Sequence, residues 1–282
     1  MMQDNTQRTP LDEASADDRG IHTAPLPALA AVDGWPINIA NQAEALEAII
    51  DAAHGGAGFA LFTLNVDHLV KLRNDAAFRR AYREATFVTA DGEPVARLAR
   101  RTEPSIERTT GADLVLPLAE ACADAGLPVY LFGTTPDVLA RASARLILNT
   151  GGRLEIAGTL SPAYGFDPES AEADRAIDRI AASGAKVCFV ALGAPKQELL
   201  AARAKARGIN AGFICIGAGL DFLAGDQVRA PLALQRAGFE WLWRLGSNPR
   251  RLALRDAQCG RLLAELTFAA AFGGASAKQR AP

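Results

Sequence analysis

The chain has 282 residues, of which 49% are hydrophobic and 22% charged, and its formal net charge is −2. This length allows one large domain or two small ones, and the composition is ordinary for a globular α/β protein. The near-neutral total excludes a general affinity for nucleic acid or anionic lipid, although a sum of charges does not exclude a local patch.

The N-terminal segment is polar and rich in acidic residues, and it has no apolar stretch of the kind found in a signal peptide. No run approaches the ~18–20 apolar residues of a membrane-spanning helix. The four cysteines form no C-x-x-C pair, and two of them lie inside apolar runs, which favours a reducing compartment. We therefore expect a cytoplasmic protein in which residues 1–32 are a disordered extension.

Between residues 33 and 225, apolar runs alternate with segments that have helical periodicity. The runs are nearly continuous, as expected for strands covered on both faces. The alternation predicts an α/β core with a mostly parallel sheet and right-handed crossovers. The predicted strands are residues 58–66, 86–90, 128–133, 154–158, 186–193 and 212–217, and the clearest predicted helices are residues 67–85 and 136–150.

Ligands of such sheets bind beyond the carboxyl ends of the strands, so the loops at those ends are the candidate site. The first two strands are followed by polar side chains, and three later loops are glycine turns that open a helix. Such turns leave backbone N–H groups unpaired at a positive dipole end, which suits a phosphate or diphosphate. The candidate residues in these loops are Thr63, Asn65, Asp91, Gly133, Thr134, Gly193, Gln197, Gly217 and Asp221.

Several common motifs are missing from the sequence. There is no G-x-x-x-x-G-K-[ST] phosphate loop, no G-x-G-x-x-G dinucleotide fingerprint, no zinc-ligand spacing and no D-x-D pair of aspartates. The three histidines are isolated in the sequence. For His68, near the end of the first strand, we expect a helix-surface position, with a site-lining position as the alternative.

The C-terminal third has a different character. Residues 226–261 contain seven arginines, no lysine and three acids, and arginine suits bidentate recognition of phosphate. The spacing of Phe239, Leu242 and Trp243 predicts an amphipathic helix, and Pro249 opens a second one. Residues 226–266 are therefore predicted to be a helical appendage, with 267–282 as a tail. The alternative is a solvated basic face with ordinary core aromatics.

Eight stretches of the sequence follow one another in this order: TLNVDHLVKLRND, VTADGEPVA, ERTTGADLV, VYLFGTTPDVL, GFDP, VCFVALGAPKQE, GAGLDFLAGDQVRAP and GFEWLWRLGSNPRRL. In this order they are similar to the WecG/TagA/CpsF glycosyltransferases, glycosyltransferase family 26. The resemblance spans residues 59 to about 256, and the last two stretches are the most specific.

The resemblance implies a Rossmann-like sheet whose C-terminal helical appendage helps to close the site. It also implies the transfer of a sugar from a UDP donor to a polyprenyl-diphosphate-linked saccharide. That sugar would be an N-acetylhexosamine, its uronic acid or a hexose. The reaction would invert the anomeric carbon without a metal or other cofactor. It would take place at the cytoplasmic membrane face, in surface polysaccharide synthesis, by a protein that could be a homo-oligomer.

By the same resemblance, Asp91 falls on the proposed general base, Thr63 and Asn65 on pocket residues, and Gln197 on a sugar-contacting glutamine. Arg244, Arg250, Arg251 and Arg255 fall in the basic cluster of the appendage. The chain departs from the family in lacking a proline before Asn65 and an acidic residue before Pro249. These departures bear on the helix boundaries and on the choice of donor.

Alternatives remain open at this stage. Asp91 could be a turn residue or a helix N-cap rather than a base. The chain could be a nucleotide-dependent oxidoreductase or epimerase, although this class needs the dinucleotide fingerprint that is missing. It could also be a nucleotide-sugar-binding module without catalytic activity.

Overall fold

The computed structural model describes residues 25–231, 234 and 249–272. Its centre is a six-stranded parallel sheet with the strand order β4-β3-β8-β7-β5-β6. The α/β prediction of a Rossmann-like parallel sheet is therefore confirmed. The six strands are β3 (Phe59–Leu64), β4 (Phe87–Ala90), β5 (Val129–Gly133), β6 (Ile156–Leu160), β7 (Val187–Ala191) and β8 (Gly212–Cys215).

Helices cover both faces of this sheet. The described helices are α1 (Gln42–Gly55), α2 (Val66–Asn74), α3 (Ala76–Arg83), α4 (Glu93–Ala99), α5 (Gly111–Asp124), α6 (Pro136–Asn149), α7 (Ala171–Ala182), α8 (Lys196–Ala206), α9 (Gly219–Ala224) and α10 (Pro249–Phe272). Side chains of α2, α3, α4, α7, α8 and α10 pack on one face of the sheet, and those of α1, α5, α6 and α9 on the other.

Alternation along the strands divides the core into these two layers. In β3, Phe62 points into one layer and Leu61 into the other, and both are fully buried. In β8, Phe213 and Ile214 divide in the same way. Each such side chain contributes ~1.5–3 kcal/mol by leaving water. The nearly continuous apolar runs of the sequence are the signature of this burial on two sides.

The ordered N-terminal part differs from the prediction. β1 (Ala30–Val32) and β2 (Trp35–Ile37) form an antiparallel hairpin, so the first strand lies inside the segment predicted to be a disordered extension. The turn is Asp33-Gly34, and both residues have positive φ, 53° and 81°. That pair of angles is typical of the tight Asp-Gly turn between two strands. Residues 1–24 lie outside the described part of the chain.

The single helix predicted over residues 67–85 is two helices. Asp75 ends α2 and begins α3, where its carboxylate accepts the Phe78 N–H at 3.0 Å. An aspartate in extended conformation can stop one helix and cap the next, and helical periodicity alone does not reveal such a break. The helix predicted over 136–150 agrees with α6 within one residue.

Helix α10 packs on α2 and α4, and its Leu262 is buried in the core layer on that face of the sheet. Its start at Pro249 is as predicted, but it continues to Phe272, past the expected end of the appendage at 266. The helix predicted around Phe239, Leu242 and Trp243 lies outside the described residues. In the described ranges, α10 included, no helix combines the length and apolarity that crossing a bilayer requires.

Arg73 fastens α10 to the rest of the protein. Its Nε and Nη2 donate to the Asp33 carboxylate at 2.7 and 2.8 Å, and its Nη1 donates to both Glu265 oxygens at 3.0 Å. One side chain of α2 thus joins the hairpin turn to α10.

We expect Arg73→Met to loosen α10 while the sheet stays folded, because Met keeps the apolar stem and removes both ion pairs. Exposed pairs contribute ~0.2–1 kcal/mol each, so the loss of both should make amide hydrogen exchange in α10 about twofold to thirtyfold faster. Arg207→Met is the matched control, since Arg207 pairs with Asp174 and Asp178 of α7 instead. Unchanged exchange in α10 would contradict this function of Arg73.

Candidate functional site

The carboxyl ends of the parallel strands bring the predicted loops to one edge of the sheet. The strand order places Asp91 after β4, Asn65 after β3, Gly217 after β8, Gly193 after β7 and Gly133 at the last position of β5. Neighbouring strands are ~4.8 Å apart, so these residues form a row ~20 Å long. Residues from separate parts of the sequence thus lie along one edge of the sheet, the edge predicted to form the ligand crevice.

Two side chains hold the Asp91 carboxylate. Thr63 Oγ1 donates to Asp91 Oδ2 at 3.3 Å, and Asn65 Nδ2 donates to the same oxygen at 3.2 Å. The Asn65 amide cannot be reversed, because its Oδ1 accepts the backbone N–H of His68 at 2.9 Å as the N-cap of α2. Thr63, Asn65 and Asp91 therefore form one polar group at the ends of β3 and β4.

One alternative for Asp91 was a role as the N-cap of α4. The N-cap of α4 is Gly92, with φ 85°, and no side chain makes a cap hydrogen bond there. The Asp91 carboxylate accepts hydrogen bonds from Thr63 and Asn65, and the residue at the N-cap position is its neighbour Gly92. Asp91 therefore does not serve as the N-cap of α4.

Arg108 lies beside this group and was missed from the sequence. Its backbone pairs with Ala90, the residue before Asp91, and its Nη2 lies 3.1 Å from Asp113 Oδ2. Arg229 contacts the other oxygen of Asp113. Burial acts to raise the pKa of Asp113, but the two arginines outweigh it and hold that pKa below its ordinary value. The stretch ERTTGADLV contained the signal, an arginine directly before a helix N-terminus at the ligand edge.

The glycine turn after β5 is sterically required. Gly133 has φ 114°, and a Cβ there would lie 2.2 Å from the carbonyl oxygen of Ala191 in the neighbouring strand. The next residue, Thr134, is also left-handed at φ 41°, which is strained for a β-branched residue. Its Oγ1 donates to Asp221 Oδ1 at 3.0 Å, so two predicted site residues from β5 and α9 are in contact.

In the turn after β8, the backbone N–H of Gly217 is paired, whereas the sequence predicted an unpaired N–H group there. The Gly217 N–H donates to Gln197 Oε1 at 3.1 Å, and it is therefore used inside the protein. Gln197 is 3% exposed, and its Nε2 donates to Glu198 Oε1 at 2.8 Å. Gly193, with φ 72°, turns the chain from β7 into α8.

A buried polar cluster behind the crevice was also missed. Glu198 is fully buried, and burial raises the pKa of its carboxyl to about 7. His68 is buried as well, which corrects the helix-surface position expected for it, and burial lowers its pKa to about 3. Its Nδ1 lies 2.7 Å from the Tyr82 hydroxyl and its Nε2 lies 3.8 Å from Glu198. Single polar residues in a sequence have no periodicity, so the sequence does not reveal whether they lie in a buried cluster or on the surface.

The arginines of the predicted appendage are only partly described. Arg244 lies outside the described residues, and Arg250 and Arg251 belong to the first turn of α10, where only the backbone is described. Arg255 Nε lies 4.0 Å from Asp67 Oδ1, in the first turn of α2. Asp67 follows Asn65 by two residues, so this part of α10 docks close to the Asp91 side of the crevice.

The side chains of the described residues that could bind a metal are not clustered. Among them, no three or more His, Cys, Asp or Glu side chains are grouped so that they could hold a metal ion. Cys122, Cys188, Cys215 and Cys259 are all free thiols, and the first three are buried.

Most of the chain matches a known protein family. Residues 30–273 match the model of the glycosyl transferase WecG/TagA/CpsF family. The match begins at β1, runs through every strand end of the crevice and includes α10. The family resemblance noted over residues 59 to about 256 is thereby confirmed, and it extends to the N-terminal hairpin.

We expect Glu198→Gln to change how stability depends on pH. A folded-state pKa raised from 4.5 to about 7 means that the folded protein binds this proton more tightly. The resulting stability is complete at low pH and is lost as pH rises through 7, a change on the order of 3 kcal/mol. From pH 5 to pH 8, the free energy of unfolding of wild type should therefore fall relative to the variant.

Urea unfolding of both proteins across this range is the measurement. The ionisable groups around Glu198 are the same in both proteins, so the comparison isolates the Glu198 carboxyl. They are Asp67, His68 and Lys71 of α2, Tyr82 of α3 and Cys215 of β8. Parallel pH curves for the two proteins would contradict the shifted pKa.

Proposed function

Because the chain belongs to the WecG/TagA/CpsF family, and so is a glycosyltransferase of polysaccharide synthesis, we propose the reaction that it catalyses. In this proposal it moves a sugar from a UDP-sugar to a polyprenyl-diphosphate-linked saccharide, with inversion and without a metal. The sugar is an N-acetylhexosamine, its uronic acid or a hexose.

The hydrogen bonds on Asp91 carry this proposal. Thr63 and Asn65 both donate to Oδ2 of Asp91, which fixes the orientation of the carboxylate. A general base must be held in one orientation, at the place where the reacting hydroxyl arrives. The end of β4 in the crevice is such a place, since the ligands of parallel sheets bind at this edge.

In the proposed reaction, Asp91 removes the proton of the acceptor hydroxyl. The hydroxyl oxygen attacks the anomeric carbon from the face opposite UDP and forms the new glycosidic bond. The bond from the anomeric carbon to the diphosphate oxygen breaks, and its electron pair leaves with UDP. The proton ends on the Asp91 carboxyl. One displacement from the opposite face inverts the anomeric carbon.

The leaving diphosphate gains charge, which cations or backbone N–H groups must stabilise. Arg108 and Arg229 both pair with the carboxylate of Asp113, so two guanidinium groups lie close to the end of β4. We assign Arg244, Arg250, Arg251 and Arg255 of the appendage to the same task. Arginine suits it because its planar fork pairs with phosphate oxygens.

The strand connections suggest where the nucleotide lies. The chain leaves β5 toward β6 and leaves β7 toward β8, in opposite directions, so the sheet order reverses between these two strands. Nucleotides bind at such reversals in open α/β sheets. Gly133, Thr134 and Gly193 line this point, with Asp221 beside Thr134. The diphosphate and sugar would then extend along the edge, past Gly217 and Gln197, to Asp91.

The acceptor places the reaction at a membrane. A polyprenyl chain stays in the bilayer, so we place the protein at the inner face of the cell membrane, held peripherally. The apolar and basic residues of the appendage would meet that surface. A homo-oligomer is compatible with this arrangement.

We expect Asp91→Asn to abolish most transfer while UDP still binds. Asn keeps the oxygen that accepts from Thr63 and Asn65 but cannot take up the proton, and a general base contributes about 10²–10⁴-fold. Transfer is measured as UDP release with the lipid-linked acceptor, and UDP binding by calorimetry. Asp51→Asn, on the exposed side of α1, is the matched control. Wild-type turnover by the Asp91→Asn variant would contradict the proposal that Asp91 is the general base.

The same assay separates the alternatives. A binding module without activity would bind UDP-sugars and release no UDP in the presence of acceptor. An oxidoreductase or epimerase would need a nicotinamide cofactor, or would change the sugar without an acceptor. A thermal-shift panel of UDP-sugars then identifies the donor.

We expect transfer to continue in excess EDTA. The sequence lacks the paired aspartates that commonly hold a divalent ion on a sugar nucleotide, and arginines supply the positive charge. The initial rate with and without chelator should agree within about twofold, since no contribution of metal charge is lost. A rate that disappears in EDTA and returns with Mg²⁺ or Mn²⁺ would overturn this part of the proposal.

A further inference from the structure

Glu198 is a buried acid that the proposed reaction does not use. It lies in the first turn of α8, directly after Gln197, and none of its surface is exposed. Burying a carboxyl group costs several kcal/mol unless hydrogen bonds compensate. Its Oε1 accepts from Gln197, whereas its Oε2 has no hydrogen-bond partner among the described residues. A purely structural position would be filled at lower cost by an apolar side chain, so the carboxyl group needs another explanation.

The contacts of Gln197 indicate what this group does. A backbone N–H can only donate, so the contact of 3.1 Å with Gly217 fixes the Gln197 oxygen on the Gly217 side. The Gln197 nitrogen must then face Glu198, whose Oε1 lies 2.8 Å away. Glu198 thus provides the acceptor that keeps the Gln197 amide in this orientation. The three residues form one directed chain of hydrogen bonds.

This series of hydrogen bonds ends at the Gly217 turn, which supports the part of the crevice proposed to bind the nucleotide. Gly217, with φ 55°, leads from β8 into α9, and α9 carries Asp221. Asp221 accepts from Thr134 at the end of β5. Holding the Gly217 turn therefore holds the Asp221–Thr134 contact, which joins α9 to the strand end where the sheet order reverses.

On its other side, Glu198 faces the helix that carries the Asp91 group. His68 Nε2 lies 3.8 Å from Glu198 Oε1, and the backbone N–H of the same His68 is capped by Asn65. Asn65 in turn donates to Asp91. The buried acid is thus packed between the two halves of the crevice.

From these contacts we infer that Glu198 is a positioning residue for the UDP-sugar, acting through Gln197 on the Gly217 turn without touching the ligand. The inference rests on the proposed function for the identity of the ligand. Because the turn is held whether the sugar is bound or reacting, its loss weakens donor binding more than it slows the chemical step.

The test compares two substitutions of Glu198 in the full-length protein. Glu198→Met removes the acceptor and keeps an unbranched side chain, and it should weaken UDP binding about tenfold, the usual effect of one lost hydrogen bond. The KM for the donor should rise by the same factor, with kcat within about threefold of wild type. Glu198→Gln keeps an oxygen that accepts from Gln197 and should restore most of the affinity.

Lys205→Met is the matched control on the same helix. Lys205 is also buried and donates to the Glu84 carbonyl at the far end of α8, so its loss should leave the Kd for UDP unchanged. A folded Glu198→Met protein with wild-type affinity would overturn the inference. Equal losses in Glu198→Met and Lys205→Met would do so as well, because they would indicate a general loosening of α8.

Two further results separate the possible failures. If wild type does not bind UDP in calorimetry, the proposed function fails, whatever Glu198 does. If Glu198→Met does not fold, Gln197→Met breaks the same chain from its other end and should show the tenfold loss. A folded Gln197→Met protein with normal UDP affinity would overturn the inference.

Discussion

Asn65 makes two hydrogen bonds on which the candidate active site depends. Its oxygen caps α2 by accepting from His68, and its nitrogen donates to Asp91. An amide side chain can serve both partners because its two ends differ in polarity, and the cap fixes which end is which. The orientation of Asp91 is therefore set by the start of a helix, a rigid element, and not by a loop that can rearrange.

The two halves of the crevice are built from different parts of the chain. The Asp91 half uses the ends of β3 and β4, which are adjacent in both sequence and sheet. The half proposed for the nucleotide uses β5, β7 and β8, with Thr134 and Asp221 in contact across 87 residues of sequence. The two halves also differ in their charge and in how closely their backbones pack. Arginines gather near Asp91, whereas Gly133 lets β5 approach the Ala191 carbonyl closely.

The fold was largely predictable because burial on two faces leaves a strong pattern in the sequence. All six sheet strands were located, because most of them are continuous apolar runs bounded by glycine or polar residues. The edge strand β6, which contains Gly158 and Thr159, is only partly buried and lies two residues later than predicted. Features decided by a single residue were not found, such as the Asp75 cap that divides one predicted helix into two. The hairpin at Asp33-Gly34 was missed because its strands have only three residues each, too few to show alternation.

For the site, sequence order was informative wherever a polar residue directly follows a strand, as Asn65 and Asp91 do. It was uninformative for contacts made across the fold. Arg108 pairs beside β4 although it follows that strand by 18 residues, and Glu198 meets His68 only because α8 and α2 pack on the same face of the sheet. The hydrogen bond from the Gly217 N–H to Gln197 is another contact across the fold that the sequence order did not reveal.

Helix α2 connects these observations physically. Its first turn is capped by Asn65 and buries His68 against Glu198, and its last turn carries Arg73, which binds α10. A helix transmits displacement along its axis because its backbone hydrogen bonds make it stiff. A shift of α10 on α2 would therefore act on the donors of Asp91 and on the acid behind Gln197 together. Helix α10 and the proposed base Asp91 are thus held by one element, which brings a C-terminal segment far away in sequence close to the candidate site.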